Sequence, residues 1–246
     1  MLAGILVVLA QTPAYAGQVT VAVASNFTLP MREIVTAFER DTGHDVTLVS
    51  GSTGALYAQI INGAPFDLLL AADEVRPAAI VAAGRAAASD RRTYAIGRLV
   101  FWTREGGLTL TEASVTALPG QSQRLAIANP KLAPYGRAAV EVLERLGLRE
   151  ALGRQLVVGQ NVNQSFQFVR TGNARFGFVA ASLVYRDGAL EQGSAWLVPD
   201  AMHAPVRQDA VLLRGTEPDG PAQALFDYLG GASAAAVLTR FGYEVP

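Results

Sequence analysis

The chain alternates between short, fully apolar runs and segments in which apolar residues stand three or four positions apart. The first run is 19–24, and it is followed by a segment with Met31, Ile34, Val35 and Phe38 at helical spacing. An uninterrupted apolar run of this length is typical of a strand buried on both faces of a sheet. The two patterns together predict a strand followed by an amphipathic helix.

The same pair of patterns recurs along the chain, and a glycine follows each of several predicted helices. Glycine after the last periodic residue is a common helix stop. Regular alternation of strands and helices predicts an α/β fold with mostly parallel sheets and helices on both faces. The further predicted strands are 46–49, 66–72, 125–128, 156–158, 176–180 and 195–198, and the glycines are Gly43, Gly63, Gly84, Gly147 and Gly172.

Two extended apolar segments, 98–103 and 205–213, predict two crossings between halves of the molecule. If the chain crosses at both, the first lobe consists of 17–98 plus 206–246, and the second lobe consists of 99–205. Two lobes joined by two strands form a hinge, which allows the lobes to close around a ligand.

The first sixteen residues, MLAGILVVLAQTPAYA, are mostly apolar and end in Ala-Tyr-Ala before Gly17. This pattern predicts a secretory signal peptide, 1–16, cleaved after Ala16. The usual positive charge at the start is missing, since no Lys or Arg precedes Arg32. A frayed or buried N-terminal helix is therefore the alternative. The apolar run is too short for a membrane-spanning helix.

Composition excludes several classes of function. The 20 basic and 21 acidic residues give a net charge of -1, so no nucleic-acid partner is expected. The absence of cysteine excludes thiolate metal sites, cysteine nucleophiles and a lipid anchor on cysteine. The two histidines, His44 and His203, lie in loop-like contexts, and Ser52 is not in a G-x-S-x-G motif. We therefore expect no catalytic residue, no cofactor and no bare metal cation.

Four predicted strand-to-helix junctions share small hydroxyl and amide residues: SNFTLP, SGSTG, NPKLAPYG and GQNVNQS. In an open α/β sheet such turns lie beyond the carboxyl ends of the strands, where ligands bind. The first turn of a helix has unpaired N–H groups and a partial positive charge, so it can hold an anion. Any one of these loops is also an ordinary helix cap. Four of them in one chain favour a small-anion site.

The four loops contain one charged residue, Lys131. They offer neither the arginine that a carboxylate ligand normally needs nor an acidic side chain to accept the proton of protonated phosphate. A fully deprotonated oxyanion needs donors only. The loops therefore favour sulfate, molybdate or tungstate over phosphate.

Five segments in order resemble the periplasmic molybdate-binding proteins of ABC importers. They are VAVASNFTLPMREIVTAF, GSTGALYAQIINGAPFDLLLAAD, RRTYAIGRLVFWT, IANPKLAPYG and QNVNQSFQFV, and the resemblance extends from Val19 to Tyr243. It implies a two-lobed type II periplasmic binding protein fold with the oxyanion enclosed between the lobes. It also implies a monomeric periplasmic carrier that delivers molybdate or tungstate to a membrane permease, without catalysis.

The resemblance implies a ligand set drawn from the four loops. The first loop supplies side-chain and backbone donors, and in the second a hydroxyl and an N–H converge on one oxygen. The third supplies a tyrosine hydroxyl, and the fourth supplies a backbone N–H alone. The matching residues here are Ser25, Asn26, Ser52, Thr53, Tyr135 and Val162.

One position departs from part of the family. Some members have a ligand tyrosine at the strand end that matches Ala180 and a small residue where Tyr135 stands here. The exchange is complementary, which argues for a retained site. Molybdate and tungstate remain unseparated, because they have nearly the same size and charge. Another oxyanion such as sulfate, an enzyme, or an effector-sensing domain on the same scaffold remain alternatives.

Overall fold

The computed structural model describes residues 16–246, so the predicted signal peptide lies outside the described residues except for Ala16. No helix within this range is both long and apolar enough to cross a membrane. The strands are β1 (Gln18–Ala24), β2 (Asp45–Gly51), β3 (Leu68–Leu70), β4 (Arg91–Gly97), β5 (Leu99–Thr103), β6 (Leu125–Ala128), β7 (Leu156–Gly159), β8 (Phe176–Ala180), β9 (Tyr185–Arg186), β10 (Ala189–Leu190), β11 (Ser194–Leu197) and β12 (Val206–Leu212). The α-helices are α1 (Thr28–Thr42), α2 (Thr53–Ile61), α3 (Val75–Ala82), α4 (Glu112–Thr116), α5 (Pro134–Arg145), α6 (Val162–Arg170), α7 (Pro221–Tyr228) and α8 (Ala232–Arg240).

Two five-stranded sheets, each with its own helices, form two lobes. The strand order is β2-β1-β3-β12-β4 in the first sheet and β11-β5-β8-β6-β7 in the second. Strand β1 pairs in parallel with β2 and β3, and β6 pairs in parallel with β7 and β8. The pairs made by β12 and β5 are antiparallel, so each sheet is mixed rather than mostly parallel. The α/β two-lobed fold is as predicted.

The chain passes between the sheets twice, near the two predicted crossings. It leaves the first sheet at Gly97, the end of β4, and enters the second at Leu99, the start of β5. It returns between Leu197, the end of β11, and Val206, the start of β12. In each sheet, one strand arrives from the other lobe and runs antiparallel to its neighbours. This strand is β12 in the first sheet and β5 in the second. The residue boundaries of the lobes remain a prediction.

The apolar runs are buried on both faces, as their lack of alternation predicts. Val19, Val21 and Val23 of β1 pack on one face of the first sheet, with α1, α7 and α8. Ala22 packs on the other face, with residues of α2 and α3. The second sheet has a separate core that includes residues of α5 and α6. Buried sheets of this kind fix where each strand ends, and therefore where each ligand loop begins.

Helix α1 ends as its sequence predicts. Gly43 follows it with φ of 74°, and its N–H donates to Glu39 O at 2.8 Å. Glycine adopts this left-handed conformation without steric cost, so it closes the helix. The other glycines predicted to stop helices also have positive φ: Gly63, Gly84, Gly147 and Gly172.

Candidate functional site

The carboxyl ends of four strands, β1, β2, β6 and β7, lead into loops that border one small cavity. The cavity is small and lies between the two sheets. All six residues predicted as ligands line the cavity. Their binding of an oxyanion remains a prediction. The other lining residues are Ala24, Gly51, Ala72, Ala133 and Pro134.

The cavity is lined by buried and uncharged residues. The six predicted residues are between 1% and 6% exposed, so a bound anion would be largely removed from water. Among residues 16–246, none of those lining the cavity carries a formal charge. Hydrogen bonds in so enclosed a space are strong, because little solvent competes with them.

At each of two helix N-termini, one backbone N–H is free to donate into the cavity. At the start of α2, the N–H of Gly54 donates to Leu132 O at 2.9 Å, and that of Ala55 donates to Ser52 Oγ at 3.4 Å. The Thr53 N–H, in contrast, has no acceptor among the described residues. At the start of α6, Asn161 Oδ1 accepts from the Gln164 N–H at 2.9 Å. This cap leaves the N–H of Val162 available.

Three cavity hydroxyls accept a hydrogen bond from the protein. Thr53 Oγ1 accepts from the Ala72 N–H at 2.9 Å, and Ser52 Oγ accepts the longer bond from Ala55. The Tyr135 hydroxyl oxygen accepts from Gln208 Nε2 at 3.2 Å. A hydroxyl has one hydrogen to donate. Because each of these hydroxyl oxygens already accepts a hydrogen bond from the protein, its own hydrogen can point towards a ligand.

A buried polar network stands behind the cavity. Asn26 Nδ2 donates to Gln208 Oε1 and to the Tyr243 hydroxyl, at 2.9 Å each. Its two side-chain N–H groups are thereby engaged, so Asn26 can offer the cavity its backbone N–H. The Tyr94 hydroxyl donates to Gln208 Oε1 at 3.0 Å, and Ser182 Oγ donates to Asn26 O at 2.8 Å.

The three tyrosines of this region remain protonated over a wide pH range. Burial raises the pKa of Tyr135 well above its usual value, and the neighbouring Tyr243 raises it further. The hydrogen bond from Gln208 lowers the pKa of Tyr135, because a donor to the phenolic oxygen favours the phenolate. Burial likewise raises the pKa of Tyr94 well above normal and that of Tyr243 to about 12. Tyr135 therefore presents a neutral O–H to an anion.

The sequence pattern did not identify the network residues Gln208, Tyr94, Tyr243 and Ser182. Gln208 lies in β12 and is fully buried, with an exposed fraction of 0%. A glutamine within the apolar stretch 205–213 is a signal of a buried polar role, since unpaired polar groups are costly inside proteins. Its partners are far away in sequence, so the pattern could not identify them.

A larger groove adjoins the cavity and shares Ala72 and Pro134 with it. Its walls include Asp73, Arg137 and Glu141. Side chains of both charges make it less suited than the uncharged cavity to holding an anion through neutral donors alone. Within the part of the chain that the structure describes, no cluster of three or more His, Cys, Asp or Glu side chains is placed to hold a metal ion.

Comparison with known proteins agrees with this geometry. Residues 19–244 match the family described as bacterial extracellular solute-binding protein. The molybdate-binding protein ModA of Azotobacter vinelandii is 48% identical over 241 residues, covering 98% of this chain and 94% of that protein. ModA of Rhodobacter capsulatus is 43% identical, covering 94% of this chain and 90% of that protein.

A solved structure has the same fold along nearly the whole chain. The Azotobacter vinelandii periplasmic molybdate-binding protein superimposes with a TM-score of 0.88 and 36% sequence identity. The match covers 93% of this chain and 99% of that one. Family, identity and fold agree over the region that contains all four ligand loops. The chain therefore belongs to the bacterial extracellular solute-binding proteins and, within them, to the group of molybdate-binding proteins.

Proposed function

We propose that this protein is the substrate-binding component of an ABC importer and that it captures molybdate or tungstate between its lobes. The observation that carries the proposal is the cavity in which hydroxyls already accept bonds from the protein. Thr53 and Tyr135 accept from Ala72 and Gln208, so their hydrogens are free for an anion. The relatives named molybdate-binding protein support the choice of anion.

The proposed ligands are Ser25, Asn26, Ser52, Thr53, Tyr135 and Val162, which would surround the anion with donors. A hydrogen bond from a neutral donor to a charged oxygen contributes about 1.5–3 kcal/mol. Several such bonds would replace the hydration shell of the anion without any counter-charge. An anion that carries a proton would need an acceptor for it, and no residue that lines the cavity supplies a carboxylate.

The cellular role follows from the same proposal. The protein would be periplasmic, exported by the signal peptide predicted at 1–16, and would deliver the anion to a membrane permease as a monomer. The lobes would be 17–98 plus 206–246 and 99–205, and they would close about the two crossings. No chemical step is proposed, because the cavity presents donors for binding and no nucleophile paired with a base.

Isothermal titration of the chain from Gly17 onward tests the proposal, with molybdate, tungstate, sulfate and phosphate as separate ligands. We expect submicromolar binding of the first two and far weaker binding of sulfate and phosphate. Tight binding of sulfate would retain the fold and the donor site but replace the ligand. Absence of binding for all four anions would contradict the proposed function.

Removal of one hydroxyl tests the placement of the site in the same assay. Tyr135→Phe should weaken molybdate binding by about ten- to a hundredfold, because one charge-assisted bond is lost. Tyr57→Phe removes a hydroxyl from α2 at a position that does not line the cavity, and it should leave affinity unchanged. Equal affinities for the two variants would show that Tyr135 is not a ligand.

A further inference from the structure

The side chain of Gln208 connects residues of both lobes behind the cavity. It is fully buried in β12, which pairs with β3 and β4 of the first sheet. Its oxygen accepts from Asn26 of the first lobe, and its nitrogen donates to Tyr135 of the second lobe. Among the described residues, none of the hydrogen-bond partners of Gln208 is charged.

The partners of Gln208 fix the orientation of its carboxamide. Oε1 faces two donors, Asn26 Nδ2 at 2.9 Å and the Tyr94 hydroxyl at 3.0 Å. The NH₂ group must therefore face the other way, where the Tyr135 hydroxyl lies 3.2 Å from Nε2. A rotation of the amide would place an oxygen against Tyr135 and the NH₂ group against Asn26 Nδ2, which can only donate, whereas the Tyr94 hydroxyl can turn to Ala71 O at 3.3 Å. The network thus selects one orientation.

The orientation of Gln208 determines what Tyr135 can do at the cavity. Because the phenolic oxygen accepts from Gln208, its single hydrogen is left to donate either to the ligand or to the neighbouring Tyr243 hydroxyl. We propose that Gln208 is a specificity-determining residue, which holds Tyr135 as a donor and so makes the cavity reject anions that carry a proton. This inference rests on the proposed function, since it concerns the selectivity of the same oxyanion site.

Sulfate and phosphate provide the sharpest comparison, because they are nearly equal in size. Near neutral pH, sulfate has no proton, whereas phosphate carries one or two. The ratio of their affinities therefore reports on the proton and not on the size of the cavity. With Tyr135 held as a donor, the phosphate proton meets no acceptor at this position.

Two substitutions change the partner of Tyr135 in different ways. Gln208→Met removes the N–H donor without adding charge, so the Tyr135 hydroxyl can turn and accept from a protonated anion. Gln208→Glu places a carboxylate oxygen against Tyr135, which then donates to the protein and presents only its lone pairs to the ligand. Tyr57→Phe is the control, because it removes a tyrosine hydroxyl at a position of α2 that does not line the cavity.

The experiment measures competition of sulfate and of phosphate against molybdate, with thermal melting to confirm folding. Wild type should favour sulfate over phosphate, and Gln208→Met should reduce that ratio by about tenfold, the effect of one hydrogen bond. Gln208→Glu should lose molybdate affinity by more than Gln208→Met, because it adds a negative charge. Tyr57→Phe should keep the wild-type ratio.

The outcomes separate this inference from the function on which it rests. If wild type does not bind molybdate, the proposed function fails. If wild type binds molybdate and Gln208→Met leaves the sulfate-to-phosphate ratio unchanged, only the role of Gln208 is overturned. If Gln208→Met does not fold, Gln208→Glu decides: a sulfate-to-phosphate ratio below that of wild type would support the role of Gln208, and an unchanged ratio would overturn it.

Discussion

Tyr135 can reach the cavity only because residue 97 has no side chain. A Cβ built on Gly97 would overlap the Tyr135 hydroxyl and would lie 2.5 Å from Gln208 Nε2. Gly97 does not have a positive φ, so space rather than backbone conformation requires a glycine here. This glycine ends β4 at the first crossing, where the lobes approach each other. A residue outside the four ligand loops therefore controls the geometry of one of them.

We expect Gly97→Ala to weaken molybdate binding by about ten- to a hundredfold, since the Tyr135 hydroxyl must move away from its position. Titration calorimetry measures the change. Gly106→Ala is the control, because Gly106 has open space around its Cβ position and no positive φ. An affinity for Gly97→Ala equal to that of the control would show that Tyr135 does not need this close approach.

At the scale of single residues, the sequence allowed prediction of the donors and not of what orients them. The four loops combine small polar residues with helix starts, and that combination is local. The contacts of Asn26 with Gln208 and Tyr243 span 182 and 217 residues of sequence. No local pattern specifies such pairs. They form because β12 and the C-terminal tail pack against the loop that follows β1.

At the scale of elements, a bulge in the pairing of β12 with β4 lets β12 contribute both to the polar network, through Gln208, and to a buried ion pair, through Asp209. Gln208 pairs with Ala95, but the next residue, Asp209, pairs with Thr93, so Tyr94 is an extra residue on β4. Such a bulge redirects side chains. Tyr94 thereby reaches Gln208 at the network, while Asp209 accepts from Arg91 Nε at 2.6 Å and from Thr93 Oγ1 at 2.8 Å.

The buried carboxylate of Asp209 should contribute strongly to the stability of this strand pair. Its side chain is 2% exposed and that of Arg91 is 30% exposed. We expect Asp209→Ala to lower the free energy of unfolding by about 2–3 kcal/mol, because it leaves a half-buried charge and a hydroxyl without their acceptor. Urea denaturation measures this change.

Glu105→Ala provides the matched control for Asp209→Ala. The pair of Glu105 with Arg175 is 2.8 Å long, but both side chains are exposed. Solvent screens such pairs, so its removal should leave the urea midpoint close to that of wild type. Midpoints shifted equally by the two substitutions would contradict a special contribution from the buried pair.

The order and ends of most elements could be predicted from periodicity and from glycine stops. Strand β6 occupies the predicted residues, and α1 stops at the predicted glycine. The antiparallel direction of β5 and β12 was not predictable in this way. Strand direction depends on which lobe the chain has just left, and an apolar run has the same pattern in either direction.

At the scale of the whole molecule, the first lobe contacts two backbone carbonyls of the second lobe beside the cavity. The Gly54 N–H in α2 donates to Leu132 O at 2.9 Å, and Arg76 Nη2 donates to Lys131 O at 2.9 Å. A Cβ on Gly54 would lie 3.0 Å from both Cα and O of Leu132. The two carbonyls precede Tyr135 closely in the chain. Contact here therefore brings the Tyr135 loop over the cavity.

Gly54→Ala should destabilise the closed arrangement of the lobes without destabilising the open one. Its methyl group would press on Leu132 across the cleft, yet alanine is the better helix former by about 1 kcal/mol. The ligand-free protein should therefore melt at or above the wild-type temperature. Molybdate should dissociate about tenfold faster, as expected for the loss of about one hydrogen bond from the closed state.

Gly136→Ala separates this effect from ordinary overpacking. A Cβ on Gly136 would overlap the backbone of Ala128 and would lie 3.0 Å from the Asn129 carbonyl carbon, both in its own lobe. It should therefore lower the melting temperature with or without molybdate. Stopped-flow dissociation and thermal melting of both variants test the distinction. If Gly54→Ala dissociates at the wild-type rate, the lobes do not need this contact to retain the anion. If it destabilises the ligand-free protein as Gly136→Ala does, Gly54 serves folding rather than closure.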